Sequence, residues 1–401
     1  MLLANMSSIR IFADLRVKYP SWDQLKQFLI SAEGGKLAVI GDGPQVIIRY
    51  DKKTSDFQVP YVHAFRSVIW DTVANIPVSV APFKAINDIS AIGGATIIQD
   101  FVEGVMLHAF ATGADNEFHL ATRTKLGAET RYYSKRNFSD LVRDVSAYTD
   151  LNKILPRAEN ASYTFASLVL QHPEHRIVAP ITEPRLYVVS IGCVYTDGVV
   201  TIQEDPRMWP ADVAVLAPIT QYGMIAGGPQ EFVSAESDKR GWSWQGLIFK
   251  NAATLQRWRI RNPTYTTVRD LRGSDADSYA RFLKLRKAGN LPLYVAYYPE
   301  EQAEFYGLEM KLREQSEALF NEYVIVNCVK KKSLKAVGWP LNNHVYSLHG
   351  IYIKKLKPSK HVLTLEMVTT YVNGLDLLKQ RALLVTPVGG KVHQPSDTMM
   401  E

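Results

Sequence analysis

The chain has 401 residues, 46% apolar and 21% charged, with a formal net charge of +6. That length exceeds what one hydrophobic core usually serves and the composition is that of ordinary globular proteins, so two domains are expected, and neither disorder nor a membrane protein is. No apolar run approaches a membrane span, the start MLLANMSSIRIFADLR lacks a signal-peptide core, and two cysteines cannot build a disulfide framework or a cysteine zinc site.

A soluble intracellular protein is therefore expected. Up to about residue 250 it reads mainly as strands. KLAVI, QVIIRY, FRSVIWD, IPVSVAP, ATIIQDFVEG, VMLHAFA, EFHLATR, RLYVVSIGCVYTDG, GVVTIQ and GLIFKN are short, rich in β-branched and aromatic residues, and broken by turn formers. Helices punctuate them. SWDQLKQFLISAEGG has Ser21 as N-cap and Gly34 and Gly35 as its stop. In NFSDLVRDVSAYTDLNKIL, residues Phe138, Leu141, Val142 and Val145 fall at helical spacing. The pattern predicts an antiparallel α+β domain, not a doubly wound one.

After about Pro263 the texture turns helical. SDADSYARFLKLRKAG offers Ser274 as N-cap and Gly289 as stop, and Phe305, Leu308, Leu312, Leu319, Phe320 and Tyr323 make one apolar stripe between Pro299 and Val329. The expected organisation is an α+β domain over 1–262, a basic helical domain over 263–387 and a flexible tail over 388–401.

The charge is uneven. From Asn251 to Glu401, 22 Lys and Arg face 14 Asp and Glu, against 24 and 26 before them. A localised positive surface concentrates polyanions, which points to nucleic acid; the competing reading is a solvated helical face. The clusters are Arg269 and Arg272; Arg281, Lys284, Arg286 and Lys287; Lys330, Lys331, Lys332 and Lys335; and Lys354, Lys355, Lys357 and Lys360. Tyr279, Phe282, Tyr346 and Tyr352 lie among or near them, as core residues or as platforms for exposed RNA bases. Cys193 and Cys328 both sit in apolar contexts and read as buried thiols. His172, His175, His344 and His349 lack the spacing of a common metal motif, so no structural metal is expected.

Seven segments in order, HAFRSVIWD, PVSVAPFKA, DFVEG, TRTKLGAE, HPEHRIVAP, WQGLIFKN and WRIRNPTY, span much of the chain. Their order resembles the T4 RNA ligase 1 type of ATP-dependent RNA ligase, and more closely the degenerate RNA-ligase-like proteins of large DNA viruses. The resemblance implies a covalent nucleotidyltransferase domain followed by an all-α domain. In such enzymes a lysine amine attacks the α-phosphate, cations hold the phosphates, and acids hold a metal.

Carried over position by position, the resemblance implies nucleotide or phosphate contacts at Arg66, Lys84, Glu103, Gly104, Lys125, Gln245, Gly246, Arg259 and Arg261. Glu103 stays open between a surviving acid of the site and a turn residue. The reacting groups are absent: the nucleophile's position is Phe101, an expected acid is Val169, and the glutamate of the second glycine motif is Gln245. Phe101 itself reads as a core residue on a strand, and Arg176 as a brace for its turn or a ligand contact.

The resulting expectation is a pseudoenzyme that binds RNA or a nucleotide. It requires no cofactor, and ATP or GTP with Mg2+ is what the pocket would accept. Two alternatives remain: an active nucleotidyltransferase using Lys84, and a structural or virion interaction protein. RNA is the expected partner, through Arg269, Arg272, Lys284, Arg286, Lys287, Lys330, Lys331, Lys332, Lys354 and Lys355. A viral or host protein is a further candidate partner and no membrane is expected. The implied location is the host cytoplasm or viral factory, with packaging in the virion as a further option.

Overall fold

Strands run as far as Arg261 and helices follow. The computed structural model describes residues 6–386 apart from 91, 113–117, 146–150, 157, 159, 210–215, 224 and 226. The tail 388–401 lies outside the described residues. The chain divides into two units, Met1–Asp270 and Leu271–Glu401, and the division falls inside the helix that begins at Pro263.

In the first unit β1 (Ser7–Ile9) is followed by β2 (Ala38–Ile40), β3 (Gln45–Arg49), β4 (Val68–Asp71) and β5 (Ile76–Val80). The last four form an antiparallel meander. Next come β6 (Ile97–Asp100), β7 (Val105–Thr112), β8 (His119–Thr122), β9 (Ala161–Gln171), β10 (Arg185–Tyr195) and β11 (Val200–Gln203). β12 (Gln221–Tyr222), β13 (Gly246–Lys250) and β14 (Arg257–Arg261) complete the set. A six-stranded sheet has the order β1-β11-β10-β9-β7-β8, and a four-stranded sheet β12-β6-β13-β14.

The helices α1 (Ile11–Lys18), α2 (Trp22–Ile30), α3 (Phe138–Arg143), α4 (Leu151–Ile154) and α5 (Pro229–Arg240) pack around these sheets. One core joins the meander, α1, α2 and the Phe110, Phe165 and Val194 side of the six-stranded sheet. The opposite side of that sheet, with Leu107, Leu168 and Val188, buries Phe138, Leu141, Val142 and Leu151.

Ser21 caps α2 in a reciprocal capping box with Gln24, as its sequence suggests, although the helix ends at Ile30, short of the two glycines. Sequence patterning missed β9 at the centre of the six-stranded sheet. Residues 163–170 are buried on both faces, so the strand lacks the alternation that marks a half-solvated one. α1 and α5 were also unforeseen; α5 is polar along most of its length.

α6 (Pro263–Arg272) starts in the first unit. The second unit holds α7 (Ser278–Lys287), α8 (Leu291–Tyr297), α9 (Gln302–Tyr323), α10 (Leu341–Ile351), α11 (Leu365–Asn373) and α12 (Leu377–Val385). α9 buries Phe305, Leu308, Leu312, Leu319 and Tyr323, the expected stripe less the half-buried Phe320, and continues as a π-helical turn over Val324–Val329. The cap of α7 is Asp277, not Ser274, because the Asp277 carboxylate accepts the Tyr279 backbone N–H at 3.2 Å. Cys193 is buried, and burial pushes its thiol up to about 11; Cys328 is exposed, contrary to expectation, because it follows the buried face of α9.

Candidate functional site

Strand register builds one face of the four-stranded sheet. Ile97 opposes Lys250 and Lys250 opposes Arg257; Gln99 opposes Ile248 and Ile248 opposes Arg259. One step further, Gly246 opposes Arg261 and accepts the Phe101 backbone N–H at 2.8 Å. Side chains alternate along a strand, so Gln99, Phe101, Ile248, Lys250 and the three arginines of β14 share a face. Ile98, Asp100, Leu247, Phe249 and Trp258 point the other way, and the apolar ones pack with Val233 and Trp244 into a separate core.

The first face lines a cavity of about 390 Å3, whose far wall includes Met106, Val169 and Val189 of the six-stranded sheet. Lys52, Arg66, Lys84, Arg123, Lys250, Arg257, Arg259, Arg261 and Arg269 all reach it. Of the residues the family resemblance singles out, Arg66, Lys84, Phe101, Glu103, Gly104, Gln245, Arg259 and Arg261 come together here, joined by Arg269 from the expected RNA set.

These cations repel one another. Burial, then Arg123, Arg257 and Arg259, lowers Arg66 to about 9; burial, then Arg259 and Arg269, lowers Arg261 to about 10. Lys52 and Arg259 are lowered in the same way. Several hydrogen-bond partners are neutral acceptors: Arg66 donates to the Pro82 carbonyl (3.3 Å), Arg123 to the Arg66 carbonyl (3.0 Å) and Arg259 to Asn87 Oδ1 (2.8 Å). Arg257 has the Glu204 carboxylate at 3.6 Å, Glu204 and Asp205 act on Lys250, and Asp270 acts on Arg261. Lys250 is almost fully buried, donates to the Val189 carbonyl at 3.2 Å, and is lowered by burial to about 7.

Both cavity carboxylates accept hydrogen bonds, but the buried Glu103 Oε2 has no hydrogen-bond partner among the described residues. Asp100 turns to the back face, where Arg240, Trp244 and Tyr222 donate to it at 2.8–3.0 Å; burial raises its pKa, and these bonds outweigh that and hold it low. Glu103 accepts the Val178 and Ala179 backbone N–H groups at 3.0 and 3.2 Å, so it braces the turn after β9; burial nevertheless raises its pKa. Arg176 braces the same turn by donating to the Val178 carbonyl at 2.9 Å. Glu103 therefore braces the turn through Oε1 and presents Oε2, buried and unpaired, at the cavity, so it fits both of the readings left open for it.

Two neutral groups are left facing the cavity. Gln99 Nε2 and Gln245 Oε1 are buried and have no hydrogen-bond partner among the described residues, as is also true of Arg123 Nε and Arg261 Nε. A buried polar group left unpaired costs about 1–3 kcal/mol, so these atoms are built to meet something polar.

Phe101 is half-buried just beyond β6 with the Arg261 guanidinium 5.7 Å from its ring centre, so it is a wall of the cavity and not a core residue. A Cβ on Gly104 would lie 2.4 Å from the Leu170 carbonyl oxygen, and one on Gly246 2.2 Å from that of Ile260; these glycines serve close strand approach. Lys125 is exposed at the turn after β8 and does not line the cavity. Lys52, Lys250 and Arg257 were not foreseen. Arg257 and Lys250 could have been found from the two-residue period of RWRIR and GLIFKN, whereas loop residue Lys52 carries no such signal.

In the second unit the bases of the first clusters mostly face acids. Arg272 and Arg281 share Glu301 (3.0 and 2.8 Å), Lys284 pairs with Asp275, Arg286 with Glu309 and Lys332 with Glu322. Lys287, Lys330, Lys331, Lys354 and Lys355 are exposed. Of the nearby aromatics, Phe282 is buried and Tyr346 is 71% exposed. The one His/carboxylate group near enough for a metal among the described residues, Asp144, His172 and Glu174, already holds Arg136, which bonds Asp144 at 2.6 Å and Glu174 at 3.0 Å. No helix is long and apolar enough to cross a membrane among the described residues. No protein-family model matches the chain, and a comparison with curated proteins finds no match.

Proposed function

We propose that this protein is an RNA-ligase-like pseudoenzyme whose first unit binds the phosphates of a nucleotide or of RNA without forming a covalent lysine adduct. The observation that carries the reading is the cavity itself, lined by nine cations, several of which depress one another's pKa, while Asp100 is tied to Arg240 and one oxygen of Glu103 to backbone N–H groups. Holding like charges together costs free energy that a polyanion would return. The apolar wall of Met106, Val169 and Ile248 gives a base somewhere to lie. Phe101 has no lone pair for attack on a phosphate.

The donors present do not suit a protein-held Mg2+. Asp100 is committed to hydrogen bonds, Gln245 is neutral and Glu103 keeps one unpaired oxygen, Oε2, which is too few anionic donors to hold the ion, so no step here runs through a metal. RNA-binding roles for the exposed lysines of the second unit belong to the same proposal and rest on charge alone.

One observation favours a second reading. Burial leaves a large share of Lys250 neutral at pH 7, on the same sheet face as the arginines. A neutral amine there could attack an α-phosphorus, with pyrophosphate leaving and the amine proton lost to solvent. The test is incubation with α-labelled ATP or GTP and Mg2+ or Mn2+, then denaturing electrophoresis, with Lys84→Ala and Lys250→Met alongside. Salt-sensitive binding with no adduct is the expected result. An adduct lost in either variant overturns the pseudoenzyme reading and names the nucleophile.

A further inference from the structure

Two helices of the second unit end in the same way. α9 runs into the π-helical turn Val324–Val329, and α10 runs into another, Tyr352–Leu356. Val324, Ile325, Val326, Cys328 and Val329 make the first turn apolar at five of its six positions, and Tyr352, Ile353 and Leu356 supply three of five in the second. Neither turn has a buried residue, whereas α9 buries seven. Ile325, Val329 and Ile353 are 37%, 49% and 45% exposed. Ring contacts hold the two helix ends together: the Tyr323 ring lies 6.2 Å from that of His349, which stacks on Tyr352 at 6.1 Å.

The stretch that contains both turns carries one sign of charge. From Tyr323 to Leu365 the chain has eight lysines and neither an arginine nor an acid. Lys332 pairs with Glu322, and the other seven lysines are exposed. Lysines at a helix C-terminus offset its dipole, which accounts for Lys330 and Lys331 after the first turn and for Lys354 and Lys355 in the second. It gives no reason for the aliphatic side chains beside them. A second copy of this face would meet it with like charge, and RNA phosphates would use the lysines but leave the aliphatics in water. An anionic bilayer uses both, because its headgroups take the ammonium groups and its interfacial layer takes the apolar side chains. Lysine without arginine suits a diffuse layer of headgroups, in which no fixed bidentate partner is read.

We propose that the paired helix ends of the second unit dock this protein on an anionic lipid surface, with Ile325, Val329 and Ile353 entering the headgroup layer and the neighbouring lysines held by lipid phosphate and carboxylate groups. The inference goes beyond the phosphate-binding reading of the first unit and does not depend on it. Attachment of this kind is peripheral and needs no spanning helix, so it departs from the expectation that no membrane is involved. Each lysine brought to such a surface strengthens partitioning about fivefold. High salt removes that part and leaves the apolar part.

The test uses the exposed Cys328 of the first turn, labelled in the full chain with an environment-sensitive nitrobenzoxadiazole dye; the other cysteine, Cys193, is buried. The labelled protein is titrated with phosphatidylcholine vesicles, with vesicles that also contain phosphatidylserine, and with single-stranded RNA. A brighter, blue-shifted emission is expected with the phosphatidylserine vesicles alone. In flotation of the unlabelled protein with those vesicles, the double variants Ile325→Ser/Val329→Ser and Lys354→Gln/Lys355→Gln should each bind about tenfold or more weakly. All four positions are exposed, so circular dichroism of both variants should match that of the parent. No binding to the phosphatidylserine vesicles, or equal binding without phosphatidylserine, overturns the proposal. So does full binding by the serine variant, or the same emission shift with RNA, either of which would return this face to attraction of polyanions by charge.

Discussion

Around the cavity of the first unit, Arg66, Arg259 and Arg261 stand near other cations and hydrogen-bond to neutral groups or to none. In the second unit, Arg272 and Arg281 grip one glutamate, and Arg272 also donates to the Tyr294 hydroxyl at 2.9 Å with its guanidinium 4.5 Å from the Tyr298 ring. The second unit comes from the more basic part of the chain. Its buried arginines nevertheless hold helices together, while the nearly balanced first unit gathers its cations around a cavity. A net charge counts residues; a binding site depends on which of them lack a counter-charge.

The comparison breaks if the paired arginines prove dispensable, and that is where the largest effect is expected. Arg272→Met leaves half of the Glu301 carboxylate buried without its partner, which should cost about 3 kcal/mol of stability, read by urea unfolding. Nucleotide affinity of the folded fraction should stay as it was. A loss under about 0.5 kcal/mol, the size expected of an exposed pair, would show that Arg272 is not structural.

His108 senses the other region. It is fully buried between the Ser79 (2.8 Å) and Ser67 (3.1 Å) hydroxyls, and burial, then Arg123 and Arg66, lowers it to about 3. Unfolded, it takes a proton near its ordinary value of about 6.5, so the unfolded state gains as pH falls from there towards 3. Stability of the first unit should therefore drop by up to about 1.4 kcal/mol per pH unit across that window, and His108→Gln should flatten the slope. An unchanged slope would mean that His108 is protonated in the fold.

Arg261→Gln should weaken nucleotide binding about thirtyfold, measured by calorimetry, since a desolvated cation–phosphate contact is lost. It also relieves repulsion with Arg259 and Arg269, so the ligand-free protein should melt no lower than before. A parallel loss of binding and melting temperature would place Arg261 with the structural arginines.

Much of this site could be read along the strands and little of it across them. RWRIR announces three arginines on one face through its two-residue period, and DFVEG followed by VMLHAF announces a strand, a glycine turn and a strand. Hydrogen bonds formed between distant segments leave no such mark. Glu103 was undecided because its partners, Val178 and Ala179, are some 75 residues away. Lys125 sits on an exposed turn instead of in the cavity because the β8 turn folds back on itself, with Thr122 accepting from Thr124 and Lys125. The β9 strand is hidden in a run that is apolar on both faces. Arg272 looks like a nucleic-acid contact until Glu301 is seen beside it.

The smallest effect concerns the exposed lysines, and it separates the two kinds of attraction. Lys354 and Lys355 lie on the surface of the second unit with no ion pair among the described residues, so they can attract RNA only through solvent. That attraction fades beyond a screening length of about 8 Å at physiological salt. Replacing both with Gln should weaken RNA binding about twofold at low salt, with no measurable difference near ~0.5 M salt. The loss in Arg261→Gln should persist there, because a half-buried contact is screened less. If the lysine variant instead keeps its loss at high salt, those side chains touch phosphate directly, and the second unit carries a binding surface of its own.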